Sequence, residues 1–97
     1  NSFMIFSPRS MKPIYNIEII IKAFYLLKNK NNNVRLMLIN DFQETEYSKK
    51  LIKLIRTLGL EKECIILPKL DYREMIETYS KADLVISIPT TDGTPNT

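Results

Sequence analysis

Two cationic side chains and a short polar stretch carry the residue types most suited to chemistry in this chain. Arg9 and Lys12 follow the first apolar run of the sequence, and Asp92, Gly93 and Thr94 follow the last one. Guanidinium and ammonium groups bind anions such as phosphate, and a glycine allows the backbone to approach a ligand closely. The two stretches therefore predict a site for a phosphate-bearing ligand if the fold brings them together.

The elements that would position these residues follow from hydrophobic periodicity. Short apolar runs predict strands, and apolar residues at helical spacing predict helices between them. The predicted strands are 3–6, 34–39, 64–67 and 84–88, and the predicted helices begin near Asn16, Thr45 and Asp71. Gly59 is placed to end the second helix. The chain thus alternates strand and helix along its length.

The third predicted helix has a clear start signal and an apolar stripe. Asp71 is followed three residues later by Glu74, which is the spacing of a capping box. The helix is predicted to bury Met75, Ile76 and Tyr79 against the sheet.

Strands that alternate with helices indicate an α/β fold. We predict a Rossmann-like parallel sheet of about four strands with helices on both faces. The usual strand order of such sheets is 3-2-1-4-5-6, and ligands bind beyond the carboxyl ends of the strands at a topological switch point. Arg9, Lys12 and the stretch from Thr90 to Pro95 all follow predicted strands. They are therefore expected to share one edge of the sheet, together with Lys69 after the third strand.

Composition narrows the possible classes of protein. The 97 residues suffice for one domain, 1–97, and the formal charge of +3 is interleaved along the chain, so it does not require a nucleic-acid partner. Cys64 is the single cysteine and there is no histidine, which excludes the usual Cys/His zinc sites, and we predict no metal. Cys64 begins a strand and is predicted to be a core residue. No apolar stretch reaches the roughly 20 residues of a membrane span, no leader is recognisable, and a reducing cytoplasm is expected.

Three segments in this order and spacing resemble a known family. The segments "SPRSMKPIYNIEIIIKAF", "YSKADLVISIP" and "DGTP" are similar to the carboxyl-terminal donor-binding domain of GT-B glycosyltransferases of the retaining group called group 1 or family 4. The resemblance covers essentially the whole chain. It implies part of a Rossmann-like domain that binds a nucleotide-diphosphate sugar and transfers the sugar to an acceptor with retention of configuration, without a metal or other cofactor.

The resemblance also implies roles for individual residues. Arg9 would neutralise the donor diphosphate, and Lys12 would take over a phosphate contact that the family makes from a Lys-Gly pair. Asp92 stands where the family has the first Glu of a Glu-x7-Glu motif, and would orient the donor sugar within a loop that includes Gly93 and Thr94.

The sequence departs from the family pattern at three places. Tyr15-Asn16 aligns with the Lys-Gly pair, and Asn40-Asp41-Phe42 replaces a Gly-x-Gly after the second strand. The second Glu of the motif would fall at the third residue beyond Thr97. The resemblance therefore implies a truncated domain, with the amino-terminal acceptor domain of the parent protein also missing, and we expect the chain alone to lack transferase activity.

Simpler interpretations compete with each of these roles. Arg9, Lys12 and Lys69 could be solvated surface residues, and Asp92-Gly93 could be an ordinary turn. A non-catalytic nucleotide-binding or scaffold domain is the alternative function. A phosphoacceptor signalling domain is disfavoured because acidic residues do not cluster at the predicted strand ends.

Two surfaces suggest partners beyond the donor. The basic side chains of the second helix, Lys49, Lys50, Lys53 and Arg56, could meet acidic lipid in the parent protein, although a solvated helix face is favoured. The strand 84–88 is expected to lie uncovered at the edge of the sheet. Such an edge invites pairing with another chain, so we predict a non-physiological dimer through it.

Overall fold

The protein is a four-stranded parallel sheet with helices on both faces, described by a computed structural model over residues 2–40 and 45–89. Its elements in chain order are β1 (Phe3–Ser10), α1 (Ile17–Lys30), β2 (Val34–Ile39), α2 (Glu46–Thr57), β3 (Cys64–Leu67), α3 (Tyr72–Lys81) and β4 (Leu84–Val85). The strand order is β3-β2-β1-β4, and every pairing is parallel. The predicted α/β fold class is confirmed.

Alternation along the strands divides the apolar side chains between two cores. Val34, Leu36 and Leu38 point to one face, where they pack with Ile5 and with the apolar stripes of α1 and α2. The opposite face carries a smaller cluster of Phe6, Met37 and Ile39, against which α3 packs. The chain therefore changes face between α2 and α3, and β1 and β4 are the strands at this switch.

Local sequence explains how α2 begins and ends. Thr45 and Ser48 form a reciprocal capping box, in which Thr45 Oγ1 accepts from the Ser48 N–H (3.0 Å) and Ser48 Oγ accepts from the Thr45 N–H (2.9 Å). Gly59 follows the helix with a φ of 71°, a left-handed conformation that glycine adopts without penalty. The predicted end of this helix at Gly59 is confirmed.

Helix α3 is less buried than its sequence predicts. The capping box of Asp71 and Glu74 is present, but α3 contains no buried residue, and Ile76 and Tyr79 remain 50% and 44% exposed. The prediction that α3 buries Ile76 and Tyr79 is wrong. The physical reason is that α3 covers its face of the sheet without a neighbouring helix in the described part of the chain, so only its underside meets apolar partners.

The single thiol lies in the core. Cys64 opens β3 with 8% of its surface exposed and belongs to the cluster between the sheet, α1 and α2. Burial raises the pKa of the Cys64 thiol to about 12, with a smaller contribution from the nearby Glu63 carboxylate. A thiol in this state is neutral and unreactive at neutral pH, so the prediction of a structural cysteine is confirmed.

Candidate functional site

The carboxyl end of β1 differs from its predicted form. The strand was predicted to end at Phe6, before Pro8, but it continues to Ser10. Its pairing with β2 passes from Phe6↔Met37 to Ser10↔Ile39, so β1 advances four residues while β2 advances two. This bulge carries Pro8 and Arg9. Because Pro8 has no N–H, it cannot complete the ladder, and bulges are common where a strand must direct a side chain into a site.

The same proline explains why β4 is short. The predicted strand 84–88 is observed only over Leu84–Val85. The Ile86 N–H still donates to the carbonyl oxygen of Phe6 (2.9 Å). In a parallel ladder the next bond would come from the N–H two residues beyond Phe6, which is Pro8 and has none. The backbone after Ile86 is thereby released from β1.

Arg9 is held in a defined position by an aromatic ring. Its Cζ atom lies 5.4 Å from the centroid of the Tyr15 ring, within the range of a cation–π contact. Tyr15 closes a short 3₁₀ turn between β1 and α1, and packs against the larger core cluster. Arg9 is exposed, so its guanidinium is accessible to a ligand while it contacts the Tyr15 ring.

A cleft opens beside Arg9 at the switch between β1 and β4. It has a volume of about 330 Å³ and is lined by residues of β1, α3, β4 and the segment after β4, namely Pro8, Arg9, Met75, Tyr79, Val85 and Ser87. The Tyr79 ring is fixed edge-on against Phe6, with 5.4 Å between ring centroids. The cleft thus combines a cation, hydroxyl groups and apolar walls, which are features typical of a binding site for a small polar ligand.

The other predicted cations lie in different places. Lys12 is exposed and directly precedes the 3₁₀ turn, so it shares the β1–α1 connection with Arg9. Lys69 is also exposed and follows β3, which is separated from β1 by β2. Because neighbouring strands are about 4.8 Å apart, the end of β3 is about 10 Å from that of β1. The structure therefore groups Arg9 with Lys12 along the chain and sets Lys69 apart.

The first turn of α1 offers fewer unengaged N–H groups than the sequence suggests. The Glu18 N–H donates to the hydroxyl oxygen of Tyr47 (3.3 Å), and the N–H groups of Ile19 and Ile20 donate to the carbonyl oxygen of Asn16. Glu18 also forms ion pairs with Lys22 (3.0 Å) and Lys50 (3.3 Å), which hold the pKa of its carboxyl below the ordinary value, Lys22 having the larger effect.

Asn16 is a site residue that the sequence interpretation missed. It lies directly before α1 but does not cap the helix with its side chain. Instead its Nδ2 donates to the carbonyl oxygen of Ile88 (2.6 Å), beyond the end of β4. Its backbone is left-handed, with φ 53° and ψ 39°. The alignment of Asn16 with a family glycine was the available signal, because both residue types tolerate this conformation.

Several predicted site residues lie outside the described part of the chain. These are Asp41 and Phe42 after β2, and Asp92, Gly93 and Thr94 after β4. Their predicted roles, including that of Asp92 in orienting a donor sugar, stay predictions. Asn40, which is described, donates its N–H to the carbonyl oxygen of Leu67 (2.8 Å).

The described part of the chain shows no grouped metal ligands and no helix suited to span a membrane. Within residues 2–40 and 45–89, no three His, Cys, Asp or Glu side chains come together as a metal site would require. None of the described helices combines the length and apolar character needed to cross a membrane.

The basic residues of α2 form ion pairs in addition to facing solvent. Lys50 pairs with Glu18, and Arg56 Nε lies 3.7 Å from a carboxylate oxygen of Glu61. These pairs are exposed and contribute little to stability, but they offset part of the positive charge of this surface. A contact of this surface with acidic lipid stays a prediction.

A parallel sheet with helices on both faces and a cleft at its switch point defines the Rossmann-like class of α/β domains. Within that class the chain belongs to the family described as glycosyl transferases group 1, whose sequence model matches residues 1–96. No curated protein sequence matches the chain.

Two solved structures have the same fold. A glycosyltransferase from Rickettsia africae ESF-5 is 21% identical, with a TM-score of 0.80 over 92% of this chain and 23% of that one. The structure of TarM is 20% identical, with a TM-score of 0.76 over 89% of this chain and 16% of that one. The chain therefore spans less than a quarter of either protein's length, and at this identity the likeness concerns the fold.

Proposed function

We propose that this chain forms the donor-binding part of a retaining glycosyltransferase and binds a nucleotide-diphosphate sugar. The observation that carries the proposal is the position of Arg9. It lies at the carboxyl end of β1, rests on the Tyr15 ring, and lines the cleft at the switch between β1 and β4. Membership of the group 1 family supports a sugar-transfer reaction, and the switch point is where α/β sheets of this class bind ligands.

The proposed chemistry places Arg9 at the leaving group. In the transfer, the bond between the anomeric carbon of the sugar and the diphosphate oxygen breaks, and a bond to the oxygen of an acceptor hydroxyl forms on the same face of the sugar. The proton of that hydroxyl passes to the departing diphosphate or to water. Negative charge grows on the departing diphosphate. A fixed guanidinium stabilises that charge in the transition state more than in the ground state, and Lys12 adds a second cation.

The remaining groups complete the proposal. Asp92 would accept hydrogen bonds from the sugar hydroxyls, with Gly93 and Thr94 in the same loop, and no metal or cofactor is required. Acceptor binding is assigned to a further, amino-terminal domain of the protein that carries this chain. We also propose a cytoplasmic location for that protein, because this chain carries one cysteine and relies on no disulfide of its own, as is usual in a reducing compartment.

The proposal is tested by titrating the full chain with UDP, GDP and ADP sugars, using calorimetry. We expect at least one of the three to bind. Replacing Arg9→Ala should weaken that binding by about tenfold or more, because hydrogen bonds to charged groups are among the stronger ones. The matched control is Arg35→Ala, which removes an exposed arginine near the amino end of β2, away from the carboxyl ends of the strands where Arg9 lies.

The results separate the proposal from its alternative. Equal losses in the two arginine variants would contradict the assignment of Arg9 to the site. The alternative is a non-catalytic nucleotide-binding or scaffold domain. Its scaffold version is favoured by the Glu18 N–H at the start of α1, because Tyr47 already engages this donor and leaves it less available to a phosphate. A protein carrying this chain that binds the nucleotide sugar but neither transfers nor hydrolyses it would support that alternative.

A further inference from the structure

The left-handed backbone at Asn16, just before α1, does not by itself explain why an asparagine stands there. Asn16, with φ 53°, is the one non-glycine residue with positive φ in the ranges that the structure describes. Glycine adopts this conformation at least as readily as asparagine, since it has no Cβ. The backbone alone therefore does not require an asparagine, and the contacts of the side chain become the informative feature.

The Asn16 side chain joins the start of α1 to the segment that follows β4. Its Nδ2 donates to the carbonyl oxygen of Ile88 over 2.6 Å, across 72 positions of sequence. The ladder between β1 and β4 has ended by this point, because Pro8 cannot donate to Ile86. Asn16 thus supplies a bond to this segment at the position where the sheet no longer holds it.

Tyr15, the residue before Asn16, makes a comparable contact with the end of β1. The Tyr15 ring lies beneath the Arg9 guanidinium, 5.4 Å from its Cζ atom, and is itself anchored in the core cluster. Two consecutive residues directly before α1 therefore contact the two strand ends that border the switch point. Tyr15 contacts the end of β1, and Asn16 contacts the segment after β4.

We propose that Tyr15 and Asn16 are positioning residues that set the distance between these two strand ends. Tyr15 fixes the direction of the Arg9 guanidinium, and Asn16 fixes the backbone from which the chain leaves β4. Together they would shape a site for the diphosphate of a nucleoside diphosphate, an inference that rests on the proposed function. Neither side chain needs to touch the reacting atoms.

Paired substitutions separate the two roles from general stability. Asn16→Gly retains the left-handed backbone and removes the amide, and Asn16→Asp keeps a residue type that tolerates positive φ but cannot donate. Tyr15→Leu keeps an apolar side chain without a ring, and Tyr15→Phe keeps the ring and is the matched control. Each variant of the full chain is examined by amide hydrogen exchange and by calorimetric titration with UDP, GDP and ADP.

The two readouts are expected to respond differently. In Asn16→Gly and Asn16→Asp, exchange at the Ile86 amide, whose N–H donates to Phe6, should accelerate about fivefold as the segment after β4 loosens, and binding of the preferred nucleotide should weaken by a similar factor, as the loss of one hydrogen bond implies. Tyr15→Leu should weaken binding about threefold without changing exchange at the Ile86 amide, and Tyr15→Phe should bind like the unaltered chain.

Unchanged exchange at the Ile86 amide in both Asn16 variants would overturn the role of Asn16. Equal binding by Tyr15→Leu and Tyr15→Phe would overturn that of Tyr15. If the unaltered chain binds none of the three nucleotides, the proposed function fails and the diphosphate site fails with it. Hydrogen exchange would then still decide whether Asn16 holds the segment after β4.

Discussion

At the scale of single residues, two buried serines differ in whether their hydroxyl groups have a hydrogen-bond partner. Ser48 is 1% exposed, and its hydroxyl donates to the Thr45 carbonyl oxygen (3.0 Å) while accepting from the Thr45 N–H. Ser7 is fully buried at the start of the β1 bulge, and its hydroxyl has no hydrogen-bond partner among the described residues. A buried hydroxyl without a partner costs free energy that a partnered one does not.

This contrast predicts opposite effects of the same substitution. Ser7→Ala should raise the free energy of unfolding by about 1 kcal/mol, because it removes an unsatisfied polar group. Ser48→Ala should lower the free energy of unfolding by about 1 kcal/mol, because it removes half of a capping box. Urea denaturation of the full chain measures both. A loss in Ser7→Ala as large as that in Ser48→Ala would mean that the Ser7 hydroxyl does have a partner.

At the scale of elements, the helices depend on different forces. Helix α1 buries Ile17, Ile20, Ile21 and Phe24, so its stability comes mainly from packing. Helix α3 buries no residue, and its start is secured by the Asp71–Glu74 capping box, with bonds of 2.8 and 3.0 Å. Because α3 also lines the cleft beside Arg9, its local stability bears on the proposed site.

We therefore predict that α3 is unusually sensitive to its cap. Asp71→Ala should lower the local stability of α3 by about 1 kcal/mol, because an N-cap carboxylate satisfies a backbone donor that has no helical partner. Amide hydrogen exchange across Tyr72–Lys81 measures the change. Glu77→Ala, an exposed substitution on the same helix, is the control, and equal exchange in the two variants would show that the cap does not limit α3.

At the scale of the whole molecule, the two edge strands differ in their surroundings. Leu84 and Val85 of β4 are 48% and 41% exposed, and Leu84 borders an apolar groove of about 120 Å³ beside α1. The groove also includes Leu27 of α1, which is 40% exposed. On the other edge, β3 exposes Ile66 to a similar degree without lining this groove.

An exposed apolar edge next to an apolar groove predicts self-association. We expect sedimentation of the full chain to show dimers or larger species as the concentration rises. Leu84→Lys should weaken this association by about tenfold, since it removes the burial of one leucine side chain. Ile66→Lys, the same kind of change on the opposite edge strand, should have little effect. A chain that stays monomeric at high concentration would contradict the prediction.

Much of the architecture could be predicted from the sequence because its signals are local. The apolar periodicity of α1, the end of α2 at Gly59, the capping box of α3 and the apolar runs of β2 and β3 act over a few residues, and each is found where it was predicted. The parallel order of the sheet also follows, since alternating strands and helices permit few arrangements. Arg9 could be chosen as a site residue because it follows the first strand.

The tertiary structure decided the features that depend on contacts between distant segments. Pro8 shortens β4 only because β4 lies beside β1, and the exposure of Ile76 and Tyr79 depends on which helices share a face of the sheet. The bond from Asn16 to Ile88 joins residues 72 positions apart, and no local pattern encodes it. Periodicity along the chain determines which residues form elements, whereas the geometry of a site depends on which ends of those elements the fold brings together.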